Sequence, residues 1–327
     1  MEYLTTLDVI AAKAESVIGT AEPLASDDCN VRVWEPSLSA LDVPMDADPS
    51  KVATGDPFLS EAIPGPQTAS ISFHTKLVNK TAGAEPNWTK FIKTAGCMVS
   101  GYNAALGSGY IMYPHKRCME SGLSVGLYMC SPTAGELLQI AGAMSNCVIS
   151  TEGAGKPYKM QWEYQGSLAD VNDVAEDDIP VPTSMDTEIP DTFKAGYAVI
   201  SGVANFSGCV SAMTFDFGNQ IGPVECQSSA TGYSKYIIKD MQPLLTINPS
   251  LPAISSYDWF DKFTTGSVQG FYISTDQFCL AIPRGQITSC TPEDADGIKR
   301  LNITVRPLRA TTAETTAGYA SWYLIVK

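Results

Sequence analysis

His74 and His115 are the only histidines among the 327 residues, so they bound what proton transfer or metal binding this chain can offer. His74 sits between Phe73 and Thr75 in the alternating run SISFHTKL, where a strand-face histidine is expected. His115 follows Tyr113 and Pro114 and reads as part of a turn. Neither belongs to an HExxH or GxSxG pattern. Asp170, Asp173, Glu176, Asp177 and Asp178 supply the oxygens that calcium favours, but their spacing has no glycine at the required turn and no terminal glutamate, so a solvated acidic connector is expected. GYNAALGSGY, from Gly101 to Tyr110, lacks the lysine of a phosphate-binding loop and reads as turn-rich. Asn79, Asn87, Asn205 and Asn302 head N-x-S/T triplets, which in a cytoplasmic chain are coincidences. The expectation is therefore no catalytic residue, no cofactor and no metal. A hydrolase on a β scaffold is the least favoured reading.

The elements that would position any site are strands. Hydrophobic residues make up 44% of the chain and charged ones only 17%, which fits a packed globular protein long enough for two domains. With 26 Gly, 21 Pro and many Thr, Ser, Val and Tyr, a mostly β fold is expected. The start, MEYLTTLDVIAAKAES, has no basic residue before Lys13, unlike a secretory signal, and no apolar run reaches membrane-spanning length. Synthesis and assembly in the cytoplasm are expected, with no membrane partner. The nine cysteines form no CxxC pair and read as reduced, small hydrophobes.

Charge divides the chain further. Residues 1–66 carry twelve acidic against three basic side chains, and residues 166–192 carry eight against none. The remainder is close to neutral, and no basic stripe of a phosphate-gripping kind is present. The expected organisation is an extended acidic N-terminal arm at 1–66, a folded body at 67–168, an acidic Pro-containing linker at 169–192 and a second folded body at 193–327. Leu38, Leu41 and Phe58 are candidate anchors through which the arm engages a neighbouring copy.

The two bodies resemble each other. A slide of 143 residues lays Ser124–Cys147 over Ser267–Cys290, matching Ser124, Val125, Ser131, Gly142 and Cys147 with Ser267, Val268, Ser274, Gly285 and Cys290. The alternating strands YKMQWEY and LNITVRP follow, and upstream SISFHTKL resembles AMTFDFGN at nearly the same offset. Each body has a short helical candidate: NWTKFIKTAG, ending at Gly96, and SSYDWFDKFTTG, capped by Ser255 or Ser256 and ending at Gly266.

This order of features resembles the double-domain tail tube proteins of siphophages, the long-tailed bacteriophages. The likeness runs from the acidic opening AESVIGTAEPLASDD through SISFHTKLVNKTAGAEPNWTKFIKTAGC, and is most specific in Phe206–Ala253, where Asp216, Gly218, Asn219, Asp240 and Pro243 fill the family's positions. DADGIKRLNITVRPL resembles the closing loop and strand. Ile221, Gly222 and Pro223 replace the family's usual Arg-Asp pair. The resemblance implies two tandem tail-tube modules, each a pair of antiparallel sheets flanked by a short helix, assembled with other copies into a β-barrel tube. It further implies a virion structural protein whose partners are itself, in trimeric or alternatively hexameric rings, a tape-measure protein and duplex DNA in the lumen, and tail terminator and tail-tip proteins at the ends. Glu163 and Asp216 are the candidate lumen-facing residues. The competing reading from another class is a virion-surface or carbohydrate-binding β-sandwich adhesin.

Overall fold

The computed structural model describes residues 8–46, 63–80, 84–102, 109–131, 134–151, 153, 155–185, 190, 192, 197–200, 210–229, 231–251, 257–275, 277–295, 297–309 and 320–326. It is mostly β, with antiparallel pairing throughout and two short α-helices. In chain order the first elements are β1 (Val9–Ala14), β2 (Trp34–Asp42), β3 (Met45–Asp46), β4 (Ile63–Pro64), β5 (Thr68–Lys76), α1 (Thr89–Thr94), β6 (Cys97–Tyr102), β7 (Gly109–Pro114), β8 (Leu123–Cys130), β9 (Ala134–Thr151) and β10 (Tyr158–Ala175). Then follow β11 (Tyr197–Ile200), β12 (Val210–Asp216), β13 (Asn219–Glu225), β14 (Tyr233–Met241), β15 (Leu244–Pro249), α2 (Trp259–Thr264), β16 (Val268–Ser274), β17 (Phe278–Ala295), β18 (Ile298–Pro307) and β19 (Tyr323–Val326).

Alternation explains the strands. Tyr158, Met160, Trp162 and Tyr164 of β10 are buried while Gln161 and Glu163 are exposed, and β5 buries Ala69, Ile71, Phe73 and Thr75 in the same period of two. Register shifts in the β9–β10 hairpin, between Gln165 and Ser167 and again between Leu168 and Asp170, mark bulges that bend it. The first half of β9 consequently pairs with β8 on one edge, and only its second half continues beside Met160–Gln165 of β10, which in turn pairs with β5. Glu15 pins this bend: its carboxylate accepts from the backbone N–H of Gly142 at 2.6 Å, that of Gly19 at 2.6 Å and the Ser124 hydroxyl at 3.0 Å, although burial raises its pKa.

The pairing order in the first half of the chain is β1-β8-β9-β10-β5-β2. In the second half it is β11-β16-β17-β18-β15-β12. The expected upstream match of SISFHTKL with AMTFDFGN is therefore corrected. β5 lies between β10 and β2, and the strand in that place in the second half is β15, not β12. Both runs alternate with a phenylalanine in the dry position, which made them alike without making them equivalent.

Three further expectations change. β1 and β2 are strands of the main sheet, so the described part of 1–66 is built into the body rather than extended from it. β10 runs to Ala175, seven residues into the expected linker, because its partner strand β9 supplies backbone pairing there even though residues 169–175 are exposed or half-buried. The cap of α2 is Asp258, whose carboxylate accepts from the N–H groups of Phe260 and Asp261 at 3.0 Å; Ser255 and Ser256 lie outside the described residues. Gly96 and Gly266 end the two helices as expected, with φ of 81° and 64°.

Both helices have six residues, too short to persist without packing. Phe91 of α1 supplies that packing with ring-centroid distances of 5.0 Å to Phe73, 5.7 Å to Trp162 and 6.1 Å to Tyr164. The neighbouring Lys90 crosses to β1, donating to the carbonyls of Ala12 at 3.0 Å and Asp28 at 2.6 Å. Desolvation brings its pKa down to about 8. Replacing Phe91 with alanine is expected to cost about 3–5 kcal/mol in urea unfolding, with the midpoint rather than the slope moving.

Lys90 gives a pH signature. Its folded pKa lies below the ordinary 10.5, so between about pH 8 and 10.5 the unfolded chain holds more protons and the Lys90 contribution to stability rises with pH. The stability difference between wild type and Lys90→Met, measured by urea unfolding, is expected to shift in favour of wild type from pH 8 to pH 10. A flat difference contradicts the assignment.

Candidate functional site

Two strand pairings link the halves among the described residues, that of β19 with β7 and a longer-reaching seam between β9 and β12. Past the bend, β9 has left β8 behind, and β12 takes the vacated edge with Thr214 opposite Ser150, Phe215 opposite Ile149 and Asp216 opposite Val148. The Phe217 N–H donates to the Cys147 carbonyl at 3.0 Å, and the Met213 N–H donates to the Thr151 hydroxyl at 2.9 Å. Side chains lock the end of the seam. Asp216 accepts from the Asn146 amide at 2.9 Å and from the Gly218 N–H at 2.8 Å. Asn146 in turn accepts from the Asn219 N–H at 3.1 Å, while the Asn219 amide reaches the carbonyls of Ala95 at 2.9 Å and Ser145 at 3.0 Å. Gly218 has φ of 62°, and a Cβ there would lie 2.1 Å from the Gln242 carbonyl oxygen, so the turn admits no side chain. Asp240, on the neighbouring hairpin, starts the turn into β15 by accepting from the Met241 N–H at 2.8 Å.

The seam makes one row of eight strands, β2-β5-β10-β9-β12-β15-β18-β17. Its two faces differ sharply. On the dry face Phe215, Leu245 and Val305 are directly opposed and fully buried, with Trp322 packed on Phe215 at 5.0 Å and on Phe217 at 4.6 Å. On the wet face Ser37, Ser72 and Glu163 stand opposite one another on one side of the seam, and Thr214, Thr246 and Thr304 on the other. Hydroxyls and amides dominate this surface. Glu35, Asp42, Glu163, Asp216 and Glu293 are among its acids, and Lys76, Lys159 and Arg306 are among its bases.

At the two ends of the row, edges are open among the described residues. β2 pairs only with β5. β17 leaves β16 after Gln286, and its stretch Cys290–Asp294 pairs only with β18, with Thr291, Pro292, Glu293 and Asp294 exposed.

Glu163 and Asp216 thus reach the same face, Glu163 exposed and Asp216 half-buried at the seam. Leu38 is half-buried opposite Ile71, and Leu41 is 51% exposed opposite Ala69, both on the open strand β2. Phe58 lies outside the described residues. Sequence reasoning missed Asn146 and the edges of β2 and β17; Asn219 carried a signal only as part of the FDFGN run.

The histidines lie away from the seam, although His74 is on the same wet face, opposite Gln161 and Trp34. His74 faces Glu35 at 3.3 Å on a shallow cavity of about 160 Å³, and Lys159 approaches the same carboxylate at 3.7 Å. Thr75 beside it is no nucleophile for that pair, because its buried hydroxyl accepts the Trp162 indole N–H at 2.7 Å. His115 caps a 3-10 turn at Lys116–Cys118, its ring nitrogen accepting from the Arg117 N–H at 3.1 Å. Among the described residues no group of three or more His, Cys, Asp or Glu is arranged to hold a metal ion, and no helix is long and apolar enough to cross a membrane.

No protein-family model matches the chain, and no curated protein matches it significantly in sequence. The seam therefore stands on its geometry. Asn219→Ala removes two hydrogen bonds to buried carbonyls, and is expected to lower stability by about 1–3 kcal/mol in urea unfolding. Gly218→Ala, which forces Gln242 to move, is expected to be at least as damaging.

Proposed function

We propose that this chain is a structural subunit that self-associates into stacked rings, forming a tube through which duplex nucleic acid passes, as the resemblance to siphophage tail tube proteins implies. The observation that carries the reading is the row of eight strands, in which two sets with the same pairing order are joined edge to edge and, among the described residues, the outer edge of β2 and the Cys290–Asp294 stretch of β17 are left open. An open, flat, half-polar edge invites association, and natural proteins either protect such edges or use them.

The repeated order supports two tandem modules. β8 and β9 fall on β16 and β17 at the 143-residue offset, carrying Ser124, Gly142 and Cys147 onto Ser267, Gly285 and Cys290. On this reading the first module begins at β1 rather than at residue 67, and the second runs from β11 to β18, with β19 as a closing strand between β17 and β7. The hairpins β3–β4 and β13–β14 occupy the same place in the two orders.

Size favours three copies per ring. Barrels of 16–18 strands hold an aqueous channel, and a duplex requires more. Three copies of an eight-strand row give twenty-four strands, which at about 4.8 Å spacing and about 40° tilt close at a backbone diameter of about 48 Å. Six modules then surround the axis with closed symmetry. The wet face would line the bore. Its hydroxyls and amides are interspersed with acids and bases, and the opposed Lys76 and Lys159 have the Glu35 carboxylate 3.7 Å from Lys159, which weakens their grip on a phosphate.

Cryo-electron microscopy of the purified full chain is expected to show rings or tubes with three copies per ring. Six copies per ring, with one half outside the wall, contradicts the pseudo-sixfold arrangement; a monodisperse protein at all concentrations favours an adhesin instead.

A further inference from the structure

The internal seam specifies its own counterpart between molecules. In the first half, the edge of β9 vacated by β8 is filled by β12. In the second half, the edge of β17 vacated by β16 is open among the described residues, and β2, which holds the position of β12 in the other half, has an open outer edge. We propose that the outer edge of β2 in one copy pairs antiparallel with Cys290–Glu293 of β17 in a second copy, in the register of the internal seam. This rests on the tube reading and identifies the surface through which copies join.

The register follows from cross-strand partners. Thr214 and Phe215 lie opposite Thr246 and Leu245, which lie opposite Thr304 and Val305. Ser37 and Leu38 lie opposite Ser72 and Ile71, which lie opposite Glu163 and Tyr164. Ser37 and Leu38 therefore hold the places of Thr214 and Phe215. Ser150 and Ile149, their partners in the internal seam, correspond to Glu293 and Pro292 at the 143-residue offset. The joint sets Ser37 against Glu293 on the wet face and Leu38 against Pro292 on the dry face. Leu38, half-buried in the single chain, completes its burial there.

The two seams are not equal in strength. Cys147 directs its carbonyl to Phe217 across the internal seam, so by the alternation of an antiparallel ladder Ile149, and by correspondence Pro292, also directs its backbone outward. Proline has no N–H to give. Pro36, in β2, subtracts another donor next to Ser37, and Glu35 has φ of 51° at a bulge. These are the features that keep an exposed edge from pairing indiscriminately. They leave a joint that forms only with a strand whose register and dry residue fit.

The test mixes two singly substituted full-length proteins, Ser37→Cys and Glu293→Cys, under mild oxidation. Both positions are exposed in the single chain, and directly opposed non-hydrogen-bonded residues place their Cα atoms about 4.5 Å apart, within disulfide range. The expected result is a cross-linked dimer in the mixture, absent from either protein alone and from wild type, whose native thiols serve as the control. Cross-linking of Ser37→Cys with itself overturns the proposal in favour of a symmetric β2–β2 contact. An uncross-linked mixture in which electron micrographs show rings also overturns it, while leaving the tube reading intact. An uncross-linked mixture of folded protein without rings at any concentration removes both. Cross-linking without rings keeps the joint and removes the tube.

Discussion

The constraint on which the rest of this structure depends is that a strand has two edges, and that a long strand which bends leaves its first partner behind. β9 and β17 are each eighteen residues long, and each pairs with a shorter strand along its first half only. The second half of each thereby has an edge that its first partner no longer covers, a template on which another strand can pair. In β9 the solution is internal, because β12 arrives from the other half of the chain. The Asp216–Asn146–Asn219 bonds and the placing of Trp322 over Phe215 follow from that arrival, while the β19–β7 pairing ties the halves together a second time.

The same bend separates the chemistry of the two faces. Glu15 can hold the Gly142 N–H only because the bulge turns that group out of the ladder, and the side chains beyond it fall into strict alternation. One face is then committed to Phe73, Trp162, Tyr164 and their neighbours, while the other collects Ser, Thr, Asn and Gln. That face also carries the His74–Glu35 pair, and the Thr75 hydroxyl next in sequence is held by the Trp162 indole N–H in the core. On the proposed reading the blandness of the face is the useful property, since a wall along which a polyanion slides must be wetted without gripping it.

Local pattern made much of this legible. Tyr158 to Tyr164 alternates cleanly, and the structure buries that set; NWTKFIKTAG and SSYDWFDKFTTG carry helical spacing and terminal glycines, and both form helices. The likeness of Ser124–Cys147 to Ser267–Cys290 was visible because both segments build a short strand feeding a long one. What stayed hidden depends on partners distant in sequence. The acidity of residues 1–66 suggested an extended arm, yet Glu35 and Asp42 lie on an edge strand that needs only one apolar residue in two, and Leu38 with its packing against the core provides it. Asn146 carries no local signal at all. Its role exists only once β12 lies beside β9.

A joint that recurs at both ends of one chain also governs how copies close. The proposed contact between β2 and β17 would be heterologous, so repeating it would yield a ring when the rotation across it divides a full turn and an open helix when it does not. The rotation across the internal seam is fixed by the same strand register and by the covalent chain, and a second seam of equal register repeats it. Tethering also changes the cost of closure. The internal seam is an intramolecular contact formed at high effective concentration, so in the proposed trimeric ring only three of six seams would have to be made between molecules. Those three would be the ones weakened by Pro36 and Pro292. Strong seams within the chain and weak ones between chains favour subunits that stay separate when alone, yet lock when each new copy is held by more than one contact at once.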